Sequence, residues 1–171
     1  RRRHVHPERV GLNADIICGI DLLDPRHEQG LWDYLDWARP LVVVMSTPCT
    51  GLAGFSALNK VVAPEATYRS RLVSVPLGRL AGQVALYQLN MGRHFLSESP
   101  KGSELYRLDT WEAVRAHPRL VWLYADMCMA GMVAESGPRL PVYQTLEIWA
   151  SDLVLLRPLR PFKCDWSHPH S

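Results

Sequence analysis

The chain lacks most of the features that assign a protein early. It has four cysteines, Cys18, Cys49, Cys128 and Cys164, and no Cys-x-x-Cys pair among its 171 residues. A chain this long and this rich in tryptophan needs no cross-links. The thiols therefore read as reduced, and the protein as intracellular, nuclear or cytoplasmic rather than secreted. No run approaches the ~20 apolar residues of a membrane-spanning helix, so no membrane partner is expected. No segment has the build of a signal peptide. Repeats and low-complexity tracts are absent. Charge of one sign is missing too: 19 Lys and Arg face 17 Asp and Glu, a net +2, so bulk electrostatics nominate no nucleic-acid partner. The chain opens on Arg1-Arg2-Arg3 without a methionine and reads as a fragment.

What is present is ordinary globular material: 47% hydrophobic and 21% charged residues, enough for one domain with a sizeable core. Residues 1–10 read as a basic N-terminal tail, 11–157 as an α/β domain, and 158–171 as a tail carrying Cys164, His168 and His170. The pairs Arg69 with Arg71 and Arg157 with Arg160 read as solvated surface.

The pattern alternates strands and helices. Ala14 to Ile20 is a short apolar run that predicts a buried strand. Asp24-Pro25 is an N-cap followed by proline in the first helical turn, and apolar residues from Arg26 to Trp37 recur at helical spacing until Pro40. Leu41 to Ser46 predicts the next strand. Tyr68 to Met91 is helical, with an interruption expected at Pro76 and Gly92 as a C-cap. Phe95 to Ser97 predicts a third strand, Ser103 to Ala116 one or two short helices, Leu120 to Ala125 a fourth strand, Val142 to Ile148 a fifth, and Ala150 to Leu156 a last helix. Strand–helix–strand order predicts an α/β fold, a doubly wound, mostly parallel sheet with helices on both faces. Trp32, Trp37, Trp122 and Trp149 are expected in the core.

Chemistry concentrates at two strand ends. The run Val42-Val43-Val44-Met45 stops at Ser46-Thr47-Pro48-Cys49-Thr50, which presents a thiol on a proline-stiffened loop at the edge where open α/β sheets bind ligands. Backbone N–H groups there are expected to lower the thiol pKa and make Cys49 a nucleophile. The run Arg93 to Ser97 ends in Glu98-Ser99-Pro100, placing a carboxylic acid where a buried strand exits, able to donate a proton or a hydrogen bond. The bland alternatives are a cysteine packed in the core and an exposed loop carboxylate. Gln88, Arg93 and His94 serve loop orientation or the core. Cys164-x3-His168-x-His170 carries zinc-ligand chemistry that Cys128 could complete, but the spacing is irregular and Pro169 intervenes. It reads as a surface tail, with no metal expected and zinc not anticipated.

Together the two strand ends resemble the cytosine-5 DNA methyltransferases. Thr47-Pro48-Cys49 with Gly54-Phe55-Ser56 is similar to the family's Pro-Pro-Cys loop, and Glu98-Ser99-Pro100 to its Glu-Asn-Val segment. Gly19-Ile20-Asp21-Leu22 is similar to the strand end whose aspartate contacts S-adenosylmethionine. The likeness is closer to versions in retroelement and phage polyproteins, which share the runs Gln88 to Pro100, Asp126 to Cys128 and Cys164 to His170. The resemblance spans about Gly11 to His170 and implies a Rossmann-like methyltransferase domain acting on DNA. It implies that Cys49 attacks C6 of a flipped cytosine while Glu98 engages N3. It assigns Asp21 and Pro48 to S-adenosylmethionine and Ser46, Thr50 and Ser56 to the substrate. The sequence departs from the family in lacking the glycine-rich cofactor loop and first strand, in carrying Thr47 for the first proline, and in having no Gln-Arg-Arg segment or target-recognition domain. A methyltransferase truncated at its N-terminus is thus one expectation. A catalytically dead mobile-element remnant, serving as a structural or nucleic-acid-binding module, is the second. A cysteine hydrolase or transferase using His94 or His117 as base is the third.

Overall fold

The structure, a computed structural model, describes residues 11–53, 59, 61–135 and 139–170. Two compact units divide the chain, Arg1–Leu41 and Val42–Ser171.

In the first unit, the run expected as a strand is instead a 3-10 turn, Ile16–Cys18. Asp15 caps it by accepting a hydrogen bond from the Ile17 amide, and Gly19, at φ +80°, closes it by donating to the Ile16 carbonyl. Turn chemistry at both ends overrides the apolar pattern between them. Ile17 is 91% exposed, so the run has no sheet to join. The expected strand–helix–strand unit therefore has no first strand among the described residues. Helix α1, Pro25–Ala38, forms as its sequence dictates: Asp24 accepts from the Arg26 amide and Pro25 fills the first turn. Its Leu35 is buried, and the Tyr34 hydroxyl accepts from the Leu12 amide at 3.0 Å.

The second unit holds a four-stranded sheet, β1 (Val42–Ser46), β2 (His94–Pro100), β3 (Val121–Asp126) and β4 (Thr145–Ala150), in the order β1-β2-β4-β3. β1 and β2 are parallel, with Ser46 opposite Glu98, because helix α2 (Pro64–Asn90) carries the chain back between them. β4 lies antiparallel to both β2 and β3. The sheet is therefore mixed, one parallel pairing and two antiparallel, rather than the mostly parallel sheet expected. After β3 the chain turns back through a 3-10 turn, Met127–Ala130, and a bridge between Val133 and Pro141, with no helical crossover to restore direction.

Helix α2 runs through Pro76 without the expected interruption, although the proline removes the amide that would bond the Leu72 carbonyl. It ends in a Schellman motif: Gly92, at φ +69°, donates to Leu89 O (3.1 Å) and Arg93 to Gln88 O (2.8 Å). Two cores cover the two faces of the sheet. One packs α2 and the short elements of 105–115, ending in helix α3 (Glu112–Arg115), on Phe95 and Trp149. At its centre Tyr106 stacks on Trp149 at 4.1 Å and meets Trp111 edge-on at 4.9 Å. The other gathers Ala125, Ile148 and Ala150 under helix α4 (Leu153–Leu156) and Phe162. Of the tryptophans expected inside, Trp149 is buried, but Trp37 is 82% and Trp122 54% exposed. The central indole is Trp111, whose Nε1 donates to Gly78 O at 2.9 Å.

Candidate functional site

The second unit brings both strand ends into one cleft of about 460 Å³, near the lower end of small-molecule sites. Ser46, Thr47, Pro48, Cys49 and Thr50 line one side, and Glu98 and Pro100 the next strand's end. Met127, Met132, Gln144 and Leu146 complete it. The parallel register explains the meeting, since Ser46, the last residue of β1, is the strand partner of Glu98, while β2 runs two residues further to Pro100 along β4. The Ser46 hydroxyl donates a short hydrogen bond to Glu98 Oε1. Glu98 is thereby oriented by a neighbouring strand rather than left on a free loop.

The cysteine loop is held from behind. The Cys49 carbonyl accepts from Leu52 (2.8 Å) and Ala53 (2.7 Å), closing a tight turn. Gly51 lies against α2 so closely that a Cβ would stand 2.8 Å from the backbone of Ser70 and Arg71. Its amide donates to Ser74 Oγ, and its carbonyl accepts from Arg71 Nη1, which also pairs with Glu104 at 2.7 Å. Arg71, expected as solvated surface, is thus half-buried in the loop's support.

Electrostatics run against one expectation. Burial pushes the Cys49 thiol above the usual cysteine range; its own backbone N–H offsets part of this, and the negative charge of Glu98 adds to it. The loop does not deliver the lowered thiol pKa expected of it.

Five assigned residues, Ser46, Pro48, Cys49, Thr50 and Glu98, meet in the cleft. Ser56, with Gly54 and Phe55, lies outside the described residues, as does the 1–10 tail. Asp21 belongs to the first unit, where its Oδ1 accepts from the Leu23 amide at 3.0 Å. The described lining of the cleft contains no glycine, and its one carboxylate is bonded to Ser46. His94 begins β2, four residues and about 13 Å of strand from Glu98. It contacts Ser151 Oγ (2.9 Å) and Arg119 Nη2 (3.2 Å), away from the cleft, so it does not serve Cys49 as a base. His117 accepts from the Arg119 amide before β3 begins. Arg93 Nε donates to Gln88 Oε1, and Gln88 Nε2 donates to the His94 carbonyl at the start of β2, a helix-end role. Met127, Met132, Gln144 and Leu146 were not foreseen, because only β4's reversed insertion brings 144–146 beside Glu98.

The C-terminal tail is not a free surface segment. Cys164 is 6% exposed, and its amide donates to Asp126 Oδ2 at 2.9 Å. Cys128, Cys164, His168 and His170 each place one ligand atom within 4.8 Å of all the others. Asp126 is buried, which alone would raise its pKa. Bonds from the Thr145 hydroxyl and the Cys164 amide, with the charge of Lys163, hold its carboxyl below the usual range.

Comparison with protein-family models, with curated proteins and with solved structures finds no match to this chain. No helix among the described residues is long and apolar enough to cross a membrane.

Proposed function

We propose that Val42–Ser171 is a cytosine-5 methyltransferase-like domain whose cleft receives a flipped pyrimidine base of DNA. The observation that carries this reading is the convergence of Cys49 and Glu98, from separate strand ends, on one cleft lined elsewhere by methionine, leucine and proline. Such a lining suits the faces of a planar ring, and Gln144 and Glu98 supply polar partners for its edge. Cys49 thiolate adds to C6 of the base, forming a C–S bond as the C5–C6 double bond opens; the displaced electron pair moves into the ring toward N3, which takes a proton from water and donates it in a hydrogen bond to the Glu98 carboxylate. C5 then accepts a proton from water. Loss of the original C5 hydrogen and expulsion of the thiolate restore the base. S-adenosylmethionine would supply a methyl group in an intact relative.

A second reading has its own support. The raised thiol pKa and the absence of a cofactor cradle in the described lining favour a domain that holds a base without turning it over. One experiment separates the two: release of tritium to water from an oligodeoxynucleotide carrying 5-tritiated cytosine, single-stranded and duplex. The methyltransferase-like reading expects release by the wild type, none by Cys49→Ala, and at least a tenfold loss in Glu98→Gln. Binding without release supports the second reading. A folded chain that neither binds nor exchanges overturns both.

A further inference from the structure

We propose that Cys128, Cys164, His168 and His170 bind a single zinc ion, which ties the C-terminal segment to the end of β3 and fixes one wall of the cleft. Two thiols and two imidazoles are a complete ligand set for structural zinc. In a tetrahedral site with Zn–S near 2.3 Å and Zn–N near 2.0 Å, sulfur and nitrogen ligands stand about 3.5 Å apart. Here Cys164 Sγ lies 3.4 Å from His170 Nε2 and 3.9 Å from His168 Nε2. These two separations bracket that value. Both thiols are buried, Cys128 at 8% and Cys164 at 6% exposure, while both histidines are half-buried. A buried dithiol beside two imidazoles is a costly arrangement of weak hydrogen-bonding groups, and a metal gives all four a strong common partner.

The chain between the ligands is shaped for the purpose. The chain bends at His168, just before Pro169, and His168 and His170 both bring a ring nitrogen into the cluster. The two imidazoles converge, their ring centroids 4.6 Å apart. Trp166 adopts φ +62°, a left-handed conformation rare for an indole-bearing residue, and its amide donates to Cys164 Sγ at 3.3 Å. N–H donation to a ligand sulfur stabilises thiolate character. Outside the ligands, His170 packs against Tyr143 and Trp166, with centroids at 5.2 and 5.1 Å. The Cys164 amide is held by Asp126 at the end of β3. Cys128 directly follows Met127, a lining residue of the cleft, so the ion and the Cys49–Glu98 cleft share a wall.

The test uses the full chain purified without chelator. Elemental analysis is expected to find about one zinc per chain. Removal of zinc and titration with Co²⁺ is expected to give the intense visible bands of tetrahedral cobalt with thiolate charge transfer in the near ultraviolet. Cys164→Ser and His170→Gln should each lose at least nine-tenths of the bound metal. Cys18→Ser, which alters a thiol outside the cluster, should keep it. Should Cys164→Ser fail to fold, the wild-type cobalt spectrum and the His170→Gln variant still decide. A folded chain from zinc-supplemented cells that carries no zinc and gives no tetrahedral cobalt spectrum overturns the assignment. So does an intact mass showing a Cys128–Cys164 disulfide.

Discussion

At the scale of single residues, Cys49 and Glu98 are coupled by charge. Burial of the Cys49 thiol is the main influence against its thiolate, the Glu98 carboxylate adds to it, and the thiol pKa rises. Alkylation reports the thiolate fraction, so the rate at Cys49 is expected to climb with pH and reach its midpoint above the ordinary cysteine value. Glu98→Gln removes the negative charge, and the midpoint should move down. Iodoacetamide labelling across pH, read peptide by peptide to separate Cys49 from the other three thiols, checks both. A midpoint at or below the ordinary value, or one that rises in Glu98→Gln, would contradict this account. The identities of Cys49 and Glu98 were legible because proline marks each strand exit. Their charge environment was not, since it depends on how close the register of β1 and β2 brings them.

Among the elements, the signals that carried furthest were caps. Asp24-Pro25 starts α1 and Gly92 follows α2, each as its local chemistry requires. Replacing Gly92 with Ala puts a Cβ in the left-handed region and is expected to cost about 1 kcal/mol. A urea midpoint lowered at unchanged slope measures that cost, and an unchanged midpoint counts against the motif. The failures have a common cause as well. Ala14–Ile20 looked like a strand because its apolar residues are contiguous, yet Asp15 and Gly19 bracket a single turn. The parallel sheet was expected because strands and helices alternate along the chain. Nothing local to Thr145–Ala150 states that it runs backwards between two strands already laid down. The C-terminal cluster was discounted on spacing alone, and spacing cannot reveal that Cys128 waits at the end of β3.

For the whole molecule, Val42–Ser171 contains the complete sheet, both cores, the cleft and the Cys–His cluster. Expressed alone, this segment is expected to fold cooperatively. The stacked Tyr106–Trp149 pair and buried Trp111 should give it a near-ultraviolet dichroism like that of the full chain. A flat near-ultraviolet spectrum, or non-cooperative thermal unfolding, would show that Arg1–Leu41 is needed for the core. The insertion of β4 between β2 and β3 has a consequence for the newly made chain. During synthesis β2 and β3 emerge without a shared partner, and their hydrogen-bonding edges stay open until the strand that joins them leaves the ribosome. The ligands Cys164, His168 and His170 follow later still. Completion of the sheet thus waits for Thr145–Ala150, and a chain ending before Thr145 would yield a β1–β2 pair and an orphan strand prone to aggregation rather than a smaller domain.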